Sequence, residues 1–133
     1  AGADVSRAVL AAMEEIIATH PAVAECAVIG THDEVKGQKP VGLIVFKAGV
    51  SRDEEEIKKE LVQMVRDQIG PIACYRETAV VKRLPKTRSG KILRGTMRKI
   101  ADSEPYLTPS TIDDPVTLGE IEEALKKVGY AKN

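Results

Sequence analysis

Residues 23–46, VAECAVIGTHDEVKGQKPVGLIVF, hold two apolar runs of strand length separated by a mostly polar segment. The first run, 23–30, alternates its apolar side chains between two sides, with Val23 on the same side as Ala27 and Ile29. The second run, 41–46, is apolar nearly throughout, which is typical of a strand buried on both faces. The segment 30–40 contains two glycines and a proline and therefore indicates a loop. We predict two neighbouring strands joined as a hairpin or meander.

Helical periodicity surrounds this pair of strands. Apolar residues recur at helical spacing in four stretches: 6–19, 51–69, 92–101 and 117–128. Ser51–Glu54 and Thr117–Glu120 match the capping-box pattern, so two of these helices are expected to begin there. Residues 79–81 indicate a further short strand, and 103–116, with three prolines, are expected to lie extended over the surface. The order α-β-β-α-β-α-tail-α predicts an α+β fold with a small mixed or antiparallel sheet of about three strands packed with helices.

Length and composition exclude several classes of protein. The 133 residues fit one domain, and 20 basic against 20 acidic residues give no net charge. Without excess positive charge, and with only 3% aromatic residues, a general nucleic-acid or anionic-membrane binder is not expected. No apolar run approaches the roughly 20 residues that span a bilayer, and no secretory signal is evident. Cys26 and Cys74 lie 48 positions apart and are expected to be reduced, buried thiols.

The charges are segregated along the chain. Residues 78–101 contain no acid and eight basic residues: Lys82, Arg83, Lys86, Arg88, Lys91, Arg94, Arg98 and Lys99. Such a run is compatible either with a solvated basic face or with a site for a phosphate-bearing ligand. Within it, KTRSGK (86–91) is predicted to form a loop between a strand and a helix. Gly90 permits a sharp turn, and Lys91 supplies a mobile point charge for an anion.

Other candidate sites in the sequence are weaker. The segment 86–91 is not a P-loop, because Pro85 replaces the first glycine and Ile92 replaces the hydroxyl residue. His20 and His32 have neither a nucleophile nor metal-ligand spacing nearby, so we assign neither a catalytic role. Asp113-Asp114 is expected to be a solvated turn.

LPKTRSGK (84–91), followed by ILR and the basic helix GTMRKIA, resembles the C-terminal lysine motif of adenylate-forming acyl-CoA synthetases. The similarity extends over roughly residues 13–128, through HPAVAECAVIG, HDEVKGQKPVGLIVFK and VRDQIGPIA. The tail PSTIDDP, preceded by Tyr106, resembles the short-chain subgroup and favours propionyl-CoA over acetyl-CoA synthetase. The resemblance implies that 13–133 form the C-terminal lid domain of an enzyme whose large N-terminal ATP-binding core is absent from this chain.

The resemblance also implies an activity and a set of roles. These ligases activate a carboxylate with ATP to give an acyl-adenylate, then rotate the lid and form a thioester with coenzyme A. Lys91 aligns with the catalytic lysine of adenylation, Ser89 and Gly90 shape its loop, and Arg66 aligns with a coenzyme A contact. ATP, coenzyme A and Mg²⁺ are expected in the full-length enzyme and none on this chain alone, which is expected to be inactive.

Regulation and partners follow from the same resemblance. Lys91 is expected to be a target of reversible acylation, which would remove its charge. The expected partners are the N-terminal core domain, a protein acyltransferase and a deacylase, with no nucleic acid and no membrane. The expected location is cytoplasmic, with the mitochondrial matrix as the alternative.

The chain departs from the family at its start. The family's Gly-His-Arg loop maps to Val5, Ser6 and Arg7, so only the arginine is retained. Residues 1–12 are therefore expected to be an altered or artificially added segment. Two other classes of function remain open at this point: a stand-alone binding module, and a small RNA- or DNA-binding α+β domain that uses residues 78–101.

Overall fold

Three strands form one mixed sheet in the computed structural model, which describes residues 7–33, 37–70 and 75–131. The strands are β1 (Val23–Asp33), β2 (Gly37–Phe46) and β3 (Glu77–Val80), and β2 lies in the middle. β1 pairs with β2 antiparallel and β3 pairs with β2 parallel, so the mixed form of the predicted sheet is confirmed. The helices are α1 (Arg7–Ala18), α2 (Glu54–Ile69), α3 (Arg94–Ala101) and α4 (Val116–Lys127). The predicted element order is confirmed.

The sheet separates two hydrophobic cores. On one face, Cys26, Val28 and Ile44 pack with α1 and α2, and we call this cluster the α1/α2 core. On the other face, Ala27, Ile29, Val41 and Leu43 pack with α3 and α4, and we call this cluster the α3/α4 core. The alternation of side chains along β1 and β2 supplies both cores because successive strand residues point to opposite faces. The prediction that β2 is buried on both sides is confirmed.

The connection between β1 and β2 differs from the predicted loop. We expected residues 30–40 to be a loop, but β1 continues to Asp33 and β2 begins at Gly37. The ladder extends past the apolar runs because backbone pairing does not require apolar side chains, and the hydroxyl of Thr31 also donates to the carbonyl of Lys39 at 3.1 Å. Residues 34–36, between the two strands in sequence, lie outside the described part.

A register shift also corrects the predicted side of Val23. The pairing slips between Val23 and Glu25, as in a β-bulge. Val23 therefore joins the α1/α2 core with Cys26 and does not share a side with Ala27. A bulge depends on the partner strand and has no local signature in this run.

Neither predicted capping box is formed. α2 begins at Glu54 after Asp53, whose side chain makes no capping bond. α4 begins at Val116, because the Asp114 carboxylate accepts the backbone N–H of Val116 at 3.0 Å. Glu120, the predicted partner in the second box, is engaged instead by Arg83 of the segment after β3. In the second box, a distant arginine thus occupies the carboxylate that the local pattern would have used.

Two smaller expectations concern the cysteines and the membrane. Cys26 is a buried free thiol whose pKa burial raises to about 11, whereas Cys74 lies outside the described residues. Within 7–33, 37–70 and 75–131, no helix is both long and apolar enough to cross a membrane.

Candidate functional site

The segment that carries Lys91 is a short β-hairpin, where a plain loop was expected. Lys86 and Ile92 pair antiparallel, and we call residues 86–92 the motif hairpin. The N–H of Thr87 donates to the carbonyl of Lys91, and the N–H of Gly90 donates to the carbonyl of Thr87, both at 2.8 Å. Gly90 has a φ of 93°, in the left-handed region that closes a three-residue hairpin turn.

The hydroxyl groups of the motif brace this turn. Thr87 Oγ1 accepts the backbone N–H of Lys91 at 3.1 Å and lies 2.9 Å from Ser89 Oγ. These contacts hold the backbone of Lys91 while its side chain is exposed to solvent. A braced backbone that carries an exposed ammonium group suits a lysine that must reach a defined position on a ligand.

The tail after α3 adds a third strand to the motif hairpin. Thr87 pairs with Ile112, the N–H of Arg88 donates to the Thr111 carbonyl at 2.9 Å, and the N–H of Asp113 donates to the Lys86 carbonyl at 2.8 Å. Ile112 is buried in the α3/α4 core. Residues 103–116 were expected to lie extended over the surface, and 111–113 are instead paired. The lone Ile112 among polar residues was the only sequence signal for this contact.

Half of the cations in the basic run are neutralised by acids outside residues 78–101. Four of its eight cations form ion pairs: Arg83 with Asp114 and Glu120, Lys86 with Glu25, Arg94 with Glu14, and Arg98 with Asp102 and Glu104. The four that make no ion pair with any described residue are Lys82, Arg88, Lys91 and Lys99. Among the residues that the structure describes, half of the cations in this run are thus neutralised, which argues against its use as a nucleic-acid surface. Arg88 and Lys91 remain as exposed cations on the motif hairpin.

These ion pairs change the titration of their members. The carboxylate of Glu120, followed by that of Asp114, raises the pKa of Arg83. The pKa of Asp114 is lowered, first by the N–H of Val116 and then by Arg83. Asp114, expected to lie in a solvated turn, therefore both starts α4 and anchors Arg83.

The helix that carries Arg66 and the helix that follows Lys91 pack on opposite faces of the sheet. Arg66 is exposed in the last turn of α2, which packs on the α1/α2 core. Lys91 precedes α3, which packs on the α3/α4 core together with the adjoining Ile92. The helices that adjoin the two predicted ligand contacts therefore pack on different faces of the sheet.

Both histidines make contacts that join parts of the fold. His20 is buried, and its Nε2 lies 2.7 Å from a Glu60 oxygen while its Nδ1 accepts the N–H of Ala22 at 3.0 Å. Both ring nitrogens are thus used, and the ring links the end of α1 to α2. The backbone N–H of His32 donates to Asp102 at 2.8 Å, at the edge of a shallow 190 Å³ cleft that Tyr130 also lines.

The motif hairpin fits an anionic phosphate or carboxylate group better than a metal. It offers the exposed cations of Arg88 and Lys91 without an acid paired to either. Among the residues that the structure describes, no three His, Cys, Asp or Glu side chains are grouped to hold a metal ion. We therefore assign no Mg²⁺ ligand within 7–33, 37–70 and 75–131.

Comparison with known proteins gives consistent matches. The family model described as the AMP-binding enzyme C-terminal domain matches residues 12–91. An uncharacterised protein of Pseudomonas aeruginosa is 61% identical over 114 residues, covering 86% of this chain and 18% of that protein. The mitochondrial acyl-CoA synthetase short-chain family member B of Dictyostelium discoideum is 49% identical over 115 residues, covering 86% of this chain and 17% of that protein. The chain thus spans less than a fifth of these relatives.

Solved structures have the same fold. The acyl-CoA synthetase of Brucella canis matches with a TM-score of 0.62 and 33% identity, over 68% of this chain and 16% of that one. The part matched is again a small fraction of the longer polypeptide.

Proposed function

The chain belongs to the AMP-binding enzyme C-terminal domain family, and from that premise we propose that it is the mobile C-terminal domain of an AMP-forming, short-chain acyl-CoA synthetase. The acid would be propionate or acetate, and an N-terminal core domain would complete the enzyme. ATP supplies the adenylyl group that activates the acid, and coenzyme A accepts the acyl group as a thioester. The observation that carries the proposal is an exposed, unpaired Lys91 on a braced hairpin in a chain of this family.

Lys91 has the charge and freedom for the adenylation step. A carboxylate and a phosphate repel each other, and an ammonium group between them lowers that repulsion as they approach. No described acid forms an ion pair with Lys91, so its charge is available to a ligand. Ser89 and Gly90 set the turn that presents it, through the hydroxyl contact with Thr87 and the left-handed backbone.

Arg66 is proposed to act in the second step. Its guanidinium is exposed, and its helix packs on the face of the sheet opposite that of the helix that follows Lys91. If both residues serve one active site, the domain must turn between the steps to present each face. This placement supports the rotation that the family resemblance implies. The role assigned to Arg66 is a contact with coenzyme A, where a planar fork of donors suits phosphate.

The test joins this chain to the N-terminal part of the Dictyostelium relative and measures ATP–pyrophosphate exchange with acetate, propionate and butyrate. Lys91→Ala is expected to lower exchange about 100- to 1,000-fold, the usual loss of one charge-stabilising group. Lys99→Ala, which removes another exposed and unpaired lysine of the same run, is the matched control and should leave exchange unchanged. Wild-type exchange by Lys91→Ala would overturn the assigned role.

The same fused enzyme separates the two steps. Arg66→Ala should spare pyrophosphate exchange and slow thioester formation, whereas Lys59→Ala, an exposed lysine on the same helix, should affect neither. Equal loss in both steps for Arg66→Ala would argue against a contact specific to coenzyme A. The chain without a core domain is expected to show no exchange.

Acylation of Lys91 is proposed as a control of the enzyme. Acylation converts the ammonium into a neutral amide and so removes the charge that adenylation needs. A protein acyltransferase with labelled acyl-CoA should label the wild-type chain and not Lys91→Arg, and a deacylase should restore exchange. Equal labelling of both chains would contradict the proposal.

The location is proposed to be cytoplasmic. The mitochondrial matrix stays as the alternative, because the Dictyostelium relative is named as mitochondrial. Imaging of the tagged full-length protein distinguishes the two.

A further inference from the structure

One ion pair precedes Lys91 in the sequence and another follows it. Lys86, at the start of the motif hairpin, pairs with Glu25 of β1. Arg94, three residues after Lys91, holds Glu14 of α1 in a two-pronged contact, with Nε–Oε2 at 2.9 Å and Nη2–Oε1 at 2.6 Å. The two members of the second pair are 80 positions apart in sequence.

The Glu14 contact is bidentate and the Glu25 contact is a single one. A guanidinium that meets a carboxylate through two parallel bonds fixes both distance and orientation, which a lysine contact does not. The Glu14 side chain is only 16% exposed, against 46% for Arg94. The carbonyl of Glu14 also accepts the thiol of Cys26 at 3.3 Å, so this part of α1 is bound to β1. The partial burial reduces screening by water and salt.

The ion pairs and the hydrogen bonds of the motif hairpin constrain different parts of its geometry. The hydrogen bonds among Thr87, Gly90 and Lys91 fix the internal shape of the turn. They leave the direction of the turn relative to the sheet open. The pairing with 111–113 holds one side of the hairpin against the α3/α4 core, and the contacts from α1 and β1 add a second constraint on that direction, because each joins a point beside the turn to another element of the fold.

We propose that Glu14 and Glu25 are positioning residues for Lys91, acting through Arg94 and Lys86 respectively. The inference rests on the proposed role of Lys91. The carboxylates of Glu14 and Glu25 also leave the charge of Lys91 free. Each carboxylate is already paired with Arg94 or Lys86, so it does not bind the ammonium group of Lys91. The acids of α1 and β1 thus orient the lysine without neutralising it.

The experiment uses the fused enzyme and compares Glu14→Gln with Glu15→Gln, the adjacent exposed acid that makes no ion pair with a described residue. Glu14→Gln keeps the shape of the side chain and removes its charge. We expect kcat of pyrophosphate exchange to fall about 10-fold, because a displaced catalytic group loses rate steeply with distance. KM for ATP and thioester formation from preformed acyl-adenylate should change less than twofold, and Glu15→Gln should match wild type. Glu25→Gln should have a smaller effect of the same kind.

A double-mutant cycle tests whether Glu14 acts through Arg94. Arg94→Gln should lower kcat by a similar factor, and the double variant should be no slower than the slower single variant. Unchanged kcat in Glu14→Gln, additive losses in the cycle, or an equal loss in the thioester step would each overturn the inference. If Lys91→Ala retains wild-type exchange, the proposed function fails instead, whatever Glu14→Gln does.

Discussion

Gly42 in the middle of the central strand offers a sharp test of the packing. It pairs with Val28 of β1 and Thr78 of β3. A Cβ at this position would lie 2.1 Å from Tyr75 Oη and 3.0 Å from Tyr75 Cζ. Tyr75 is only 4% exposed, and its hydroxyl lies 2.6 Å from the buried Thr78 hydroxyl. Burial also raises the pKa of Tyr75, so the hydroxyl stays protonated and able to donate.

Gly42→Ala should therefore force the Tyr75 ring out of its place. Overpacking of a core costs about 1–3 kcal/mol. A buried hydroxyl left without a partner adds about 1–3 kcal/mol, and Thr78 would lose its partner when the ring moves. We expect the free energy of unfolding to fall by about 3 kcal/mol, which lowers Tm by about 10 °C in a domain of this size.

Urea unfolding of the chain, followed by circular dichroism, measures these changes in a double-mutant cycle. Tyr75→Phe removes the atom closest to the new Cβ and should alone cost about 1–2 kcal/mol, for the hydrogen bond to Thr78. Gly42→Ala combined with Tyr75→Phe should be more stable than Gly42→Ala alone. A Gly42→Ala chain within about 0.5 kcal/mol of wild type, the usual range for harmless substitutions, would refute the reasoning. Losses that simply add in the double variant would refute it as well.

The remaining predictions concern the turn and a surface ion pair. Gly90→Ala should lower the free energy of unfolding by about 1 kcal/mol, because a residue with a Cβ disfavours the left-handed φ of 93°. The cost is conformational, since no atom lies within 4 Å of the position that the new Cβ would take. Gly95→Ala should raise the free energy of unfolding by about 1 kcal/mol, because a helical glycine on α3 with open space around it is replaced by a better helix former. Thermal unfolding of the two variants should therefore show shifts of opposite sign. Hydrogen bonds from Arg52 and then His20 lower the pKa of Glu60 from 4.5 to about 2. The stability that Glu60 contributes is therefore complete above pH 4.5 and should be lost as pH falls through 2, a loss that Glu60→Gln should remove from the pH profile.

The local features of the fold could be predicted from the sequence. The periodicity of 51–69 and the glycine at position 70 set the extent of α2, and the apolar run 41–46 indicated a strand buried on both sides. Whether the side chains of a capping pattern are free to form the cap could not be predicted in this way. Glu120 matched a capping pattern, but its carboxylate is 2.9 Å from Arg83, a residue 37 positions away.

The candidate site likewise has some features that the sequence predicts and others that only the tertiary structure determines. The sequence alone predicted, by resemblance, an acyl-CoA synthetase lysine motif at 84–91 and a turn at Gly90, because both inferences depend on a few adjacent residues. Only the tertiary structure decided that residues 111–113 pair with the motif hairpin and that the helix of Arg66 packs on the face of the sheet opposite α3. It also decided which cations of the basic run are neutralised. Ion pairs and strand pairing depend on which distant segments are brought within a few ångströms, and that distance is set by the packing of both faces of the sheet.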